Sequence, residues 1–148
     1  MSRPKINRIV ACPPRFNSFK PVGVRITDLD TIILSLDEYE AIKLANYDGL
    51  GQQDASEEMG ISRPTFTRLL DSAQKKIADF IVNGKGISIE GGNIHFRENY
   101  IECLDCGHKF KINIENNVKQ CPACESVNLL DFAGRFGHGR CCRRRGRK

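Results

Sequence analysis

The chain has 148 residues, enough for one domain of ordinary size or two small ones. Hydrophobic residues make up 40% and charged residues 28%, too apolar a mixture for a wholly disordered protein. The net charge is +5, there are seven cysteines, and no apolar run approaches the roughly 18–20 residues of a bilayer span. No signal-peptide hydrophobic stretch follows Met1-Ser2-Arg3-Pro4-Lys5, so neither a membrane span nor secretion is expected. In such a chain cysteines are metal ligands or reactive thiols more often than disulfides, and an odd count fits a full disulfide set poorly.

The modest net charge hides blocks of opposite sign. Residues 1–27 carry six basic side chains and no acid; residues 28–61 carry nine acids and one lysine. Residues 62–86 return to +3, residues 87–134 fall to −3, and the stretch from Arg135 to Lys148 carries +7. Segregation of this kind suits a polyanion binder, although a solvated surface with two basic ends has the same totals.

In chain order, residues 1–34 hold four of the six prolines and little periodicity, and read as a basic extended arm with one short strand at Arg8-Ile9-Val10. Arg3, Lys5 and Arg8 are candidate phosphate contacts there, the competing reading being an arm packed on the helices with its charges idle. Cys12, beside Pro13-Pro14, reads as a small packed residue. A first helix is predicted over Leu36–Tyr47, with Asp37 and Glu38 at its favourable N-terminus and Asp48-Gly49 as its stop. A shorter helix follows over Gln52–Met59. Gly60-Ile61-Ser62 then makes a tight connection in which Gly60 ends one helix, Ile61 enters the core and Ser62 caps the next.

The third helix is predicted over Arg63–Val82. Phe66, Leu69, Leu70, Ala73, Ile77, Phe80 and Ile81 recur at the spacing of one buried face. Pro64, Arg68, Asp71 and Lys75 point the opposite way, flanked by Thr65 and Thr67. Short helix, tight turn and long helix make a helix-turn-helix, which lays its second helix in the major groove of DNA. The candidate DNA-contacting residues are Gln52, Ser62, Arg63, Thr65, Thr67, Arg68 and Lys75; Arg can bond guanine O6 and N7 as a bidentate pair, and Thr can meet base edges or a thymine methyl. A plain three-helix bundle with a solvated basic face is the alternative.

The segments Leu36-Asp37-Glu38-Tyr39-Glu40-Ala41-Ile42-Lys43-Leu44 and Gly49–Phe66 resemble region 4 of the sigma-70 factors, the helix-turn-helix that reads the −35 promoter element. Residues 1–92 are more similar still to domain of unknown function 134 (uncharacterised protein family 0251). The matching stretches are Arg3-Pro4-Lys5, Phe19-Lys20-Pro21-Val22-Gly23, Asp37-Glu38-Tyr39-Glu40-Ala41, Met59-Gly60-Ile61-Ser62-Arg63 and Ile89-Glu90-Gly91-Gly92. That resemblance implies DNA binding but names no promoter, ligand or chemistry. Pro64 stands where many relatives would have Gln, which removes one base or phosphate contact. Nothing here resembles sigma region 2, so action as a sigma factor on its own is not expected.

Beyond the helices, Gly86–Phe96 reads as a β-hairpin turning at Gly91-Gly92-Asn93, a lid over the helices or a wing on the DNA. Cys103-Leu104-Asp105-Cys106 and Cys121-Pro122-Ala123-Cys124 are two C-x2-C pairs, each fit to aim two sulfurs at one point. Strands are predicted around Phe110, Ile112 and Ile114 and over Val127–Phe132. The whole reads as a structural zinc ribbon, with Cys103, Cys106, Cys121 and Cys124 holding one Zn2+; a rubredoxin-like iron site and a redox dithiol compete. His108 reads as a neighbour of the site and not a ligand. The segment from Gly134 to Lys148 reads as a disordered basic tail suited to non-specific phosphate contact, with Cys141 and Cys142 open to oxidation or, with His138, to metal.

The expected fold class is therefore α+β: a basic arm over 1–34, a helix-turn-helix domain with its hairpin over 35–97, a small β zinc ribbon over 98–133 and a basic tail over 134–148. No Ser/His/Asp set, phosphate-binding glycine loop or paired carboxylates occur, so a non-enzymatic regulator in the cytoplasm, associated with the nucleoid, is expected. Double-stranded DNA is the expected partner, a dimer is compatible with the pattern, and no membrane is involved. Two alternatives remain: an adaptor that docks RNA polymerase or another protein through the ribbon, and a redox- or metal-responsive regulator using Cys12, Cys141 and Cys142.

Overall fold

The computed structural model describes residues 8–116 and 118–136. They form two units: the described residues up to Ile9 join Phe16–Ile94, and Val10–Arg15 join the described residues from His95 onward. Arg3, Lys5, His138, Cys141 and Cys142 lie outside the described residues.

In the first unit, helix α1 (Leu36–Ile42) begins at a capping box. The Ser35 hydroxyl accepts from the Glu38 N–H at 3.4 Å while the Glu38 carboxylate accepts from the Ser35 N–H at 3.0 Å. Two donors that the helix start would orphan are thereby satisfied. From Lys43 to Tyr47 the helix widens to i→i+5 bonding, closed by the Asp48 N–H on the Lys43 carbonyl at 2.8 Å. Helix α2 (Gln52–Met59) stops at Gly60, whose φ of +67° is left-handed and suits a residue without Cβ. Ser62 then caps helix α3 (Arg63–Asn83), with Pro64 in its first turn.

Ala41, Leu44, Ala55, Met59, Phe66 and Leu70 close one buried cluster among the three helices, and Ile61 of the turn packs against it. The expected buried face of α3 holds as far as Ala73 and then fades. Ile77 and Phe80 are half-buried and Ile81 is 69% exposed, a correction to the sequence reading. The cause is length: at 1.5 Å per residue the 21-residue α3 outruns the 8-residue α2 it packs on.

The stretch before α1 is not the loose arm that its prolines suggest. Besides β1 (Arg8–Val10), it contains β2 (Ser18–Phe19) and β3 (Thr31–Leu34). Both pair with β4 (Gly86–Ile89) in a sheet of order β2-β4-β3. β3 runs parallel to β4, from Thr31 opposite Gly86 to Leu34 opposite Ile89. A parallel pair needs a long crossover, and α1 to α3 supply it, so the sheet holds both ends of the helical segment.

This pairing also replaces the expected hairpin. β4 is the central strand, with β2 on one edge and β3 on the other, so it has no edge to offer β5 (Ile94–Phe96). β5 pairs instead with β1 in a two-stranded ribbon, and the division between the units falls within both strands.

The acidic block is partly internal. Asp37, Glu38 and Glu40 are each no more than 5% exposed. Asp37 is paired with Arg8, and Glu38 accepts from Lys76 at 2.7 Å and from the Ser72 hydroxyl. Burial by itself raises the Glu38 pKa, but Lys76, Ser72 and Ser35 more than offset it, and the carboxyl sits below its ordinary 4.5. A lowered folded-state pKa contributes stability that is complete above the unfolded value and is lost as pH falls through the folded one. Glu38→Gln, which keeps the shape and removes the charge, should cost about 1–3 kcal/mol near neutral pH. Urea titrations of both proteins over a pH series should show that gap shrinking below 4.5; a gap independent of pH would mean that the charge contributes nothing.

In the second unit, β7 (Lys109–Asn113), β6 (Glu98–Cys103) and β8 (Leu129–Asp131) form an antiparallel sheet with β6 in the centre. The two outer strands lie near those expected from the sequence, and β6 is a strand beyond that expectation. Along β6 Asn99, Ile101 and Cys103 are buried and the residues between them half-buried. Asn99 is a polar member of that inner row, and its amide donates to Asp131 at 2.7 Å while its carbonyl accepts from the Ala133 N–H at 2.8 Å. These bonds anchor a 3-10 turn over Ala133–Phe136, so Gly134, Arg135 and Phe136 belong to folded chain and not to the expected tail.

Candidate metal centre and nucleic-acid interface

Two chain turns of the same geometry deliver the four cysteines. At the first, the Cys103 N–H donates to the His108 carbonyl at 2.8 Å and the Gly107 N–H returns to the Cys103 carbonyl at 2.9 Å. At the second, the Cys121 N–H donates to Ser126 at 2.8 Å and the Glu125 N–H returns to Cys121 at 2.8 Å. The fourth residue past each leading cysteine is left-handed: Gly107 at φ +78° and Glu125 at φ +64°. Backbone N–H groups also point at the leading sulfurs, from Cys106 to Cys103 at 3.5 Å and from Ala123 to Cys121 at 3.3 Å. The Ser126 hydroxyl bonds Asp105, which ties one turn to the other.

The four sulfurs all lie within 4.8 Å of one another, with Cys103 to Cys124 at 3.5 Å and Cys106 to Cys121 at 3.7 Å. A tetrahedron with metal–sulfur bonds of ~2.3 Å has edges of ~3.8 Å, so the quartet fits one tetrahedral ion. Cys103 and Cys121 are buried and Cys106 and Cys124 exposed, so the site is open to solvent on one side. The backbone N–H of Cys106 leads in holding the Cys103 thiol down, to about 7. The Ser126 backbone works the same way on Cys124, but the neighbouring sulfurs outweigh it and push that thiol up to about 12. Four sulfurs this close could hold a cation between them, whose charge would favour the thiolate forms. His108 stacks on the Phe110 ring at 5.5 Å and is not part of the quartet.

In the first unit, all the residues expected at DNA except Lys75, which lies midway along α3, gather around the start of that helix. Ser62, Arg63, Thr67, Arg68 and Lys75 are exposed; Gln52 and Thr65 are half-buried. The Ser62 hydroxyl is engaged as the cap, accepting from the Thr65 N–H at 3.3 Å and bonding the Thr65 hydroxyl at 2.8 Å. The Thr67 hydroxyl bonds the Gln52 side chain, which joins the first turn of α2 to α3 and fixes how the two helices are offset. Lys75 is paired with Asp71 at 3.3 Å. Arg63 and Arg68, by contrast, have no carboxylate partner among the described residues. Arg8 has one in Asp37, with its side chain 32% exposed, so it is not an uncommitted phosphate ligand.

Two features escaped the sequence reading. The capping box was written in Ser35-x-x-Glu38, a signal available in the letters. Nothing local marks Arg15 in the second unit, yet it lines a cavity with Tyr100, Lys109 and Phe132.

The first unit is thus a helix-turn-helix held within a parallel β-crossover, and the second a three-stranded unit whose four clustered cysteines could hold a metal ion. The chain belongs to the family described as "Protein of unknown function DUF134", which matches residues 1–97. It is similar to the "UPF0251 protein" of Chloroherpeton thalassium, with 46% identity covering 99% of both chains. The "UPF0251 protein" of Moorella thermoacetica is 43% identical over 97% of this chain and 94% of its own. That of Caldicellulosiruptor bescii is 41% identical over 97% and 96%. These relatives align across the cysteine quartet as well as the helices. No helix among the described residues is long and apolar enough to cross a membrane.

Proposed function

We propose that this chain is a non-enzymatic, sequence-specific DNA-binding protein, a transcription regulator of the cytoplasmic nucleoid, whose α3 enters the major groove by its first turns. The observation that carries this is the pair Arg63 and Arg68: both exposed, neither paired with a carboxylate, on a helix start held by the Gly60 turn and the Gln52–Thr67 bond. Five residues at 1.5 Å each separate them by about 7.5 Å along the axis, close to two base steps. Asp71 limits the contact to these turns, since a carboxylate brought further into the groove would meet phosphate charge. Ser62, Thr65, Thr67 and Gln52 hold the arrangement, with Lys75 at its outer end. The ion in the cysteine quartet is Zn2+, which suits a closed four-thiolate set and needs no redox partner. It shapes the second unit and catalyses nothing.

Selection of bound sequences from a random duplex library, with the metal-loaded protein, tests this reading. An enriched motif is expected, and Arg68→Ala should weaken binding to it by about 1–3 kcal/mol while relaxing preference at a single base pair. No enrichment, or a variant that binds as the parent does, would remove α3 from the groove. Metal analysis of protein purified without added metal should return one zinc per chain.

A further inference from the structure

We infer that the second unit carries a separate binding site for a planar heteroaromatic ring bearing a phosphate, that is, an unpaired nucleotide. The site is the cavity of about 220 Å3 lined by Arg15, Tyr100, Lys109 and Phe132. This is smaller than the ~300–1,000 Å3 of sites that enclose a whole drug-sized ligand, and suits one ring with its substituent at the rim.

The walls select the ligand. Tyr100 and Phe132 meet edge to face with ring centroids 6.3 Å apart. Each ring also has a cation over it: the Lys111 ammonium lies 5.5 Å from the Tyr100 centroid and the Arg135 guanidinium 5.3 Å from that of Phe132. Tyr100, half-buried, offers its ring to a flat ligand, and Phe132, only 5% exposed, is its rigid support, at little cost in side-chain freedom. Arg15 is exposed and has no ion pair among the described residues. Lys109 is 42% exposed and reaches Glu102 at 3.5 Å, which leaves ammonium donors free for a second acceptor. Among the described residues no carboxylate lines the cavity. A metal cation would be repelled by Arg15 and Lys109, an aliphatic acid would leave the rings uncovered, and a neutral aromatic would leave both cations unused. A nucleotide satisfies rings and charges together.

Strand state follows from the same geometry. In a duplex each base is covered on both faces by its neighbours, so only an unpaired nucleotide can bring its ring into the cavity. The inference deepens the nucleic-acid reading and takes its setting from it: α3 holds duplex, and the second unit holds a nucleotide that has left one.

The chain has no tryptophan and three tyrosines, so Tyr39→Phe/Tyr47→Phe leaves Tyr100 as the only emitter. The metal-loaded full chain in that background is titrated with an oligodeoxythymidylate of about ten nucleotides, with thymidine monophosphate, and with a duplex. The single strand should quench Tyr100 emission and the duplex should not. In the parent chain, Tyr100→Leu and Arg15→Glu should each weaken strand binding by about 5- to 100-fold, and Tyr100→Phe should retain it. Quenching by the mononucleotide as efficient as by the strand supports the site and assigns its occupant to free nucleotides. Tyr100 emission unchanged at saturation, or Tyr100→Leu and Arg15→Glu binding as the parent does, overturns it. Arg68→Ala should leave this quenching intact, so failure at the cavity and failure at α3 are read separately.

Discussion

Removing the metal should unfold the second unit and leave α1 to α3 standing. The second unit has strands of six, five and three residues, and its fully or nearly buried side chains include Cys103 and Cys121 themselves. A β unit this small cannot bury enough apolar surface to offset the ordering of its chain. Binding of an ion by four thiolates contributes on the order of 10 kcal/mol at neutral pH, more than such a sheet is worth alone. With a chelator in excess, the amides of Cys103 and Cys121, bonded to His108 and Ser126 in the two turns, should lose their protection from hydrogen exchange. Amides at Phe66 and Leu70 should keep theirs, since the cluster they belong to contains no ligand. Cys121→Ser should give the same result without a chelator. Protection at Cys103 that survives metal removal would show that the sheet stands alone and that the ion has another purpose.

What could be read from the letters divides along physical lines. Periodicity of 3.6 located all three helices because each buries one face against the others, and the end signals at Gly60 and Ser62 are local chemistry. The two C-x2-C turns are local in the same sense: the ligands of each are brought together by a single tight turn. Pairing of strands is not local. Ile87 and Ile89 alternate as a strand should, yet nothing in those residues says that their neighbours are Phe19 and Ile32–Leu34 and not Ile94–Phe96. β2, two residues long and within four residues of two prolines, leaves almost no pattern to find.

Charge counting failed for a related reason. The nine acids of residues 28–61 suggest an acidic face, but Asp37, Glu38 and Glu40 are buried and two of them are bonded to Arg8 and Lys76 from distant parts of the chain. The block total therefore overstates both the acidity of the first unit's surface and the number of free cations in the arm. Among the described residues, the basic side chains without a carboxylate partner include Arg63 and Arg68 at α3 and Arg15 at the cavity.

Phe66→Ala should be the most damaging single substitution in the first unit, and its effect separates architecture from contact. Phe66 is fully buried, in the second turn of α3 between Arg63 and Arg68, and packs with Ala41 and Leu44 beneath it and Ala55 and Met59 of α2. Removing a buried phenyl ring costs about 3–5 kcal/mol, through lost transfer energy and the cavity left behind. Against a typical total of about 5–15 kcal/mol for a domain, that is enough to leave a sizeable fraction unfolded on mild heating. Urea unfolding followed at the helical signal should show a midpoint shift of that size, and metal content should stay at one ion per chain because the quartet lies in the other unit. Duplex binding should fall with the folded fraction, since Arg63 and Arg68 are oriented only while α3 is seated. Phe66→Leu, which keeps most of the volume, should cost less than about 1.5 kcal/mol and retain binding. Arg68→Ala reverses the pattern, with stability kept and recognition lost. If Phe66→Ala kept the parent's stability and bound duplex as tightly as the parent, the cluster under α3 could not be what fixes the reading helix.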